Sequence, residues 1–136
     1  MTQKEQVQKF MDIFFAGDGN GKMQERYICG YCWHFANMML DTFRRGYVAL
    51  AAPFSHFVWV DTDGTPWEAG GIYDGEAFYF IPQDILPEEE LTTFRHVPGE
   101  TSQGMAKEHA IGLMKSYCRK EGIAYDAKAE DYLVPI

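Results

Sequence analysis

A thiol placed where a helix is about to begin is a ready nucleophile. The sequence puts one at Cys32, within Cys29-Gly30-Tyr31-Cys32-Trp33-His34-Phe35-Ala36. Unpaired amide N–H groups and the positive end of a helix dipole favour the thiolate, which is the attacking form. Cys29 falls in the approach to that helix. A nucleophilic cysteine needs a base that can also hand a proton to the leaving group, and histidine suits both steps. His56 meets the need at the start of Ser55-His56-Phe57-Val58-Trp59-Val60-Asp61, where His56, Val58 and Val60 share one face and Phe57 and Trp59 the other. The base in turn wants a group that fixes its tautomer. Glu68 stands on the next strand, with Asp74, beyond Gly70 and Gly71, in reserve.

The register between those strands is set by Asp61-Thr62-Asp63-Gly64-Thr65. Glycine suits the left-handed position of a type I turn with a bulge, giving a three-residue loop that pairs Asp61 with Thr65. On that register Val58 faces Glu68 and His56 faces Gly70, so Glu68 lies on the face of His56, one diagonal away. A two-residue loop would turn Glu68 to the opposite face. The turn chemistry selects the first arrangement.

Cys29-Gly30-Tyr31-Cys32-Trp33 resembles the papain-like cysteine peptidase signature Cys-Gly-Ser/Ala-Cys-Trp/Tyr, departing from it at Tyr31. That family carries an oxyanion-binding glutamine upstream; Arg26 occupies the corresponding spacing here, and Gln24 is the nearest glutamine. The order of cysteine, histidine strand, turn and acid strand is similar to the compact core of transglutaminase-like and arylamine N-acetyltransferase proteins. Those proteins usually have Asp where this chain has Glu68. The resemblance implies acyl transfer. Cys32 attacks an amide or ester, His56 shuttles the proton, Glu68 orients His56, and the Cys32 amide with Gln24 holds the oxyanion. Water as acceptor gives a peptidase or amidase, and an amine gives a transferase.

The elements that must position these groups are legible as patterns. Val7, Phe10, Met11 and Phe14 mark a helix over 3–15, ended by the glycines of 17–21, with a loop to about Tyr27. Cys32, Phe35, Ala36, Met39, Leu40 and Phe43 mark a central helix to Arg45, with Gly46 as its stop. Strands are expected over 47–52, 55–61, 67–72 and 77–81. Glu88-Glu89-Glu90 starts a helical turn, and Thr101 or Ser102 caps a last helix to Glu121, with Met105, His109, Leu113, Met114 and Tyr117 on its apolar side. The expected fold is α+β, one domain over 1–136, a central helix on an antiparallel sheet with a papain-like core.

Composition limits the partners. A formal charge of −8 repels polyanions, which excludes nucleic acid as the main partner, and 15% aromatic residues exclude a disordered chain. Three cysteines make no secreted disulfide scaffold, and no stretch reads as a signal peptide or a membrane span, so a cytoplasmic protein is expected. No cofactor or metal is expected. Cys118 has no second pair to complete a zinc site, and Asp61-Thr62-Asp63-Gly64 lacks the further ligands of a calcium loop. His34, His96 and His109 read as surface or core residues. Two other functions fit the same residues: a dithiol oxidoreductase using Cys29 and Cys32, and an inactive binding module whose surface is formed by Trp59, Trp67, Tyr73, Phe78, Tyr79 and Phe80. At 136 residues there is little room for an elaborate cleft. The partner is thus a small-molecule or peptide substrate, or a protein that supplies part of the site; the oligomeric state is left open.

Overall fold

Thr2 starts the first helix: its Oγ1 accepts the Glu5 amide at 3.1 Å, and α1 (Gln3–Phe14) buries Val7 and Met11 one turn apart. These coordinates are a computed structural model that describes residues 1–28, 30–54, 56–88, 91 and 107–133. Cys29, His96, Thr101, Ser102 and Met105 lie outside the described residues, as does most of the Glu88–Glu90 turn. The segment expected to loop as far as Tyr27 is instead a short helix, α2 (Lys22–Ile28). Both Asp18 carboxylate oxygens explain it, accepting the Met23 amide at 3.1 Å and the Gln24 amide at 2.9 Å, while Asn20 Oδ1 accepts Lys22 N–H at 3.1 Å. The central helix, α3 (Cys32–Phe43), buries Cys32, Phe35, Ala36 and Met39, the spacing of a single face. It stops two residues before the predicted end, because Arg44 turns left-handed at φ 53° ahead of Gly46 at φ 77°.

The fold is α+β. Five strands, β1 (Tyr47–Ala52), β2 (Phe57–Val60), β3 (Pro66–Glu68), β4 (Gly71–Ile72) and β5 (Tyr79–Pro82), form an antiparallel sheet in the order β4-β3-β2-β1-β5. The strand expected over 67–72 is thus two strands with a tight turn between them. The contacts divide the chain into two compact units, Met1–Val48 with Phe57–Asp74, and Ala49–His56 with Gly75–Ile136.

In the first unit the β2–β3 hairpin has the register its turn dictates. Trp59 pairs with Trp67 and Val60 with Pro66; Asp61 N–H donates to Thr65 O at 2.9 Å, and Gly64 sits at φ 86°. The Trp59 face receives α3, whose Phe43 ring stacks on Trp59 at 5.2 Å, and Phe10 of α1 meets Phe43 edge-on at 5.4 Å.

In the second unit β1 pairs with β5, Leu50 opposite Ile81. Its long helix, α4 (Lys107–Glu121), buries Ala110, Met114 and Cys118. This corrects the predicted stripe: His109 is exposed, because the buried row runs through Ala110, Met114 and Cys118 at successive i+4 positions, one residue round the helix from it. Among the described residues no helix is long and apolar enough to cross a membrane. Tyr79 is the hub, accepting the Asp126 amide at 2.6 Å and stacking on Tyr125 at 6.3 Å, while Tyr125 O–H donates to Glu130 Oε2 at 3.0 Å.

Burial, reinforced by the hydrogen bond to Glu130 and its charge, pushes the Tyr125 phenol up to about 12. Its folded value therefore exceeds the unfolded one, and the stability it contributes is complete below about pH 10 and drains as pH rises toward about 12. Urea midpoints measured across that window fall more steeply in the wild type than in Tyr125→Phe. Parallel curves would contradict the assignment.

Candidate functional site

Cys32 is the first residue of α3, and its capping neighbour Tyr31 makes no side-chain hydrogen bond to the helix start. The thiol is free and 7% exposed. Its Sγ accepts the Phe57 amide proton, N···S 3.5 Å. That amide belongs to the residue next after His56 in the chain.

The place of this contact in the sheet matters. In an antiparallel ladder every second residue pair turns N–H and C=O toward the partner strand. Asp61 and Thr65 are such a pair; Trp59 with Trp67 is the next, and Phe57 with Ala69 would be the one after. At that rung the Phe57 N–H meets the Cys32 thiol, and the buried Ala69 carbonyl accepts Gln24 Nε2 at 2.7 Å. The rung is divided between a thiol and a carboxamide. Two of the residues singled out in the sequence, Cys32 and Gln24, thus stand at one end of the β2–β3 ladder.

Gln24 is held from both sides. Its backbone is tied to Asp18, its side chain to Ala69, and together with Gly70 it walls a polar cleft of about 270 Å³ that Gln8 and Asp12 of α1 complete. One Nε2 hydrogen serves Ala69, which leaves a second for another acceptor. Glu68 is half-buried on the face of Val58, as the register requires, opposite the face that receives α3. Its carboxylate lies by the end of α2: a Cβ on Gly70 would stand 3.2 Å from Glu68 Oε1 and 3.4 Å from Ile28 Cδ1. Glu68 therefore sits beside the segment that leads into Cys32. Asp74, the reserve carboxylate, is exposed beyond β4.

His56 is half-buried, and its carbonyl accepts the Ala51 amide at 2.8 Å, which fixes the backbone at the entry to β2. Tyr31 and Trp33 flank the His34 ring at 5.5 and 5.1 Å, and His34 Nε2 is buried with no hydrogen-bond partner among the described residues. Sequence reasoning missed the helix that carries Gln24 and the Phe57 amide as a partner of the thiol. The acidic Asp18 ahead of Lys22-Met23-Gln24-Glu25-Arg26, a run of helix formers, was the available signal for the first. No signal existed for the second, since a backbone amide carries no residue identity. Among the described residues no three His, Cys, Asp or Glu side chains gather as metal ligands. Comparison with protein-family models, with curated proteins and with solved structures gives no match for this chain.

Proposed function

We propose that the protein is a cysteine-dependent hydrolase or acyltransferase, acting on a small-molecule or peptide amide or ester. In this reading it works in the cytoplasm on a papain-like core of the compact transglutaminase-like or arylamine N-acetyltransferase-like kind. The observation that carries the reading is the divided rung, with the Cys32 thiol on the Phe57 amide at 3.5 Å and the Gln24 carboxamide on the Ala69 carbonyl at 2.7 Å. The Phe57 amide holds the sulfur at the first residue of α3, beside a helix start that no side chain caps.

The chemistry is a two-stage acyl transfer. Cys32 Sγ gives its proton to His56 and attacks the acyl carbonyl, whose oxygen takes up the negative charge. First-turn amides of α3 and the second Nε2 hydrogen of Gln24 receive that oxygen. Collapse breaks the bond to the leaving group, which departs with the proton from His56, and a thioester remains on Cys32. Water or an amine then attacks the thioester, loses its proton to His56, and the proton returns to the leaving Cys32 sulfur. Glu68 acts as the positioning residue for His56.

Iodoacetamide tests the nucleophile directly. At neutral pH Cys32 is alkylated at least about tenfold faster than Cys118, the difference expected of an activated against a packed thiol, and His56→Ala slows Cys32. Peptide mass mapping over a time course reads both sites in one sample. Equal slow labelling of the two thiols, or a reversible Cys29–Cys32 disulfide under mild oxidation with no effect of His56→Ala, would overturn the proposal.

A further inference from the structure

A second cleft is walled by residues of the segment that leads to Cys32. It measures about 230 Å³ and is lined by Met23, Arg26, Tyr27 and Tyr31. Met23, Arg26 and Tyr27 fall at i, i+3 and i+4 on α2, so the helix presents them on one face. Tyr31 closes the cleft because its amide donates to the Arg26 carbonyl at 3.1 Å, folding the chain back against the helix it has just left. The Tyr27 and Tyr31 rings meet edge-on at 6.2 Å. Tyr31 is also the residue immediately before Cys32.

The charge in this cleft is out of keeping with the chain. The protein carries a net −8, and Arg45, a part-buried arginine, is clamped by both oxygens of Asp61 at 2.7 and 3.1 Å. Arg26 is exposed and has no carboxylate within ion-pair distance among the described residues. Its position in the last turn of α2 suits the helix dipole. That accounts for a cation there, but for neither the two tyrosines nor the cavity beside it.

We propose that this cleft binds a small monocarboxylate with a planar apolar body, and that such a carboxylate is a feature of the substrate on which Cys32 acts. The second half of the statement rests on the reading of Cys32 as nucleophile; the first does not. A guanidinium offers a paired fork of N–H donors that matches a carboxylate, and tyrosine faces and a thioether pack against an aromatic or allylic body. One cation balances one negative charge, and among the described residues no second cation lines the cleft to suit a phosphate dianion. The volume lies below the roughly 300 to 1,000 Å³ of drug-sized sites, so the ligand is the size of a single residue or smaller.

The binding test uses the full chain carrying Cys32→Ser, so that no covalent chemistry interferes, with benzoate and its neutral isostere benzamide as probes. Benzoate shifts the ring resonances of Tyr27 and Tyr31. It binds about fivefold or more tighter than benzamide, the scale of one partly screened charge pair. Arg26→Gln removes the difference, and Arg26→Lys restores part of it. Equal binding of the two probes, no effect of Arg26→Gln, or displacement of benzoate by an equal concentration of inorganic phosphate would each overturn the site.

The link to Cys32 has its own readout. Iodoacetate carries a carboxylate that iodoacetamide lacks; in each, the Cys32 sulfur bonds to the methylene carbon as the C–I bond breaks and iodide leaves to solvent. Arg26→Gln lowers the iodoacetate rate at Cys32 several-fold more than the iodoacetamide rate. An unchanged ratio breaks the link to Cys32. A failure of the nucleophile reading shows separately, in the wild-type iodoacetamide rate itself.

Discussion

Cys32→Ala loses turnover of an activated ester such as 4-nitrophenyl acetate by about a thousandfold or more, down to the rate of the buffer, while remaining folded. The two halves of that expectation come from different physics. Cys32 is 7% exposed, so alanine leaves a void the size of one sulfur and removes the acceptor that the Phe57 amide meets at 3.5 Å. A small cavity and one lost weak hydrogen bond cost about 1 to 2 kcal/mol, against the roughly 5 to 15 kcal/mol of an ordinary domain. The thermal transition therefore shifts by a few degrees and remains cooperative. The covalent step has no such reserve, because an alanine side chain forms no thioester. His56→Ala supplies the second arm. If Cys32 and His56 act as a unit, the double variant is no slower than Cys32→Ala alone, since the residues of one proton-transfer chain are strongly non-additive. Ester turnover surviving in Cys32→Ala, or single losses that multiply in the double variant, would show that the two residues do not share a reaction.

How much of this was legible in the sequence depends on which interactions carry each element. Helices α1 and α3 are held by apolar faces, so Val7 and Met11, or Phe35, Ala36 and Met39, announce them by spacing. Helix α2 has no buried residue. It exists because the Asp18 carboxylate fastens two of its amides, a contact that leaves no trace in hydrophobic periodicity. The hairpin register could be derived because Gly64 needs a left-handed backbone, which leaves few loops to choose from. The predicted stop of α3 at Gly46 came two residues late for the same kind of reason: glycine tolerates a positive φ, but Arg44 adopts one first. Of the candidate site, the side chains could be named from the sequence and the backbone groups could not. Phe57 and Ala69 enter through an amide and a carbonyl at the end of a ladder, and every residue has those.

Gly46→Ala is expected to be the most damaging single methyl in the first unit, costing more than about 3 kcal/mol, enough to lower the thermal transition by about 10 °C. Two terms add. Gly46 sits at φ 77°, where an L side chain crowds its own backbone at about 1 to 2 kcal/mol. In addition, a Cβ there would overlap the backbone carbonyl of Val60 and stand 3.0 Å from Trp59 Nε1. Neither neighbour can yield. Trp59 is fully buried, its Nε1 donates to the Arg45 carbonyl at 2.8 Å, and its ring lies stacked on Phe43. Arg45 in turn grips Asp61 through Nε at 2.7 Å and a second guanidinium nitrogen at 3.1 Å, so the strand that carries Val60 is tied to the same turn. Relaxing the overlap means giving up one of those bonds. Gly64→Ala separates the two terms: Gly64 has φ 86° but open space where its Cβ would go, so only the backbone strain remains, about 1 to 2 kcal/mol. Urea denaturation of the two variants measures the difference. A loss at Gly46 at least about 1.5 kcal/mol larger than at Gly64 is the signature of the close approach to Val60. Equal losses would mean that the exit of α3 gives way more easily than its hydrogen bonds imply.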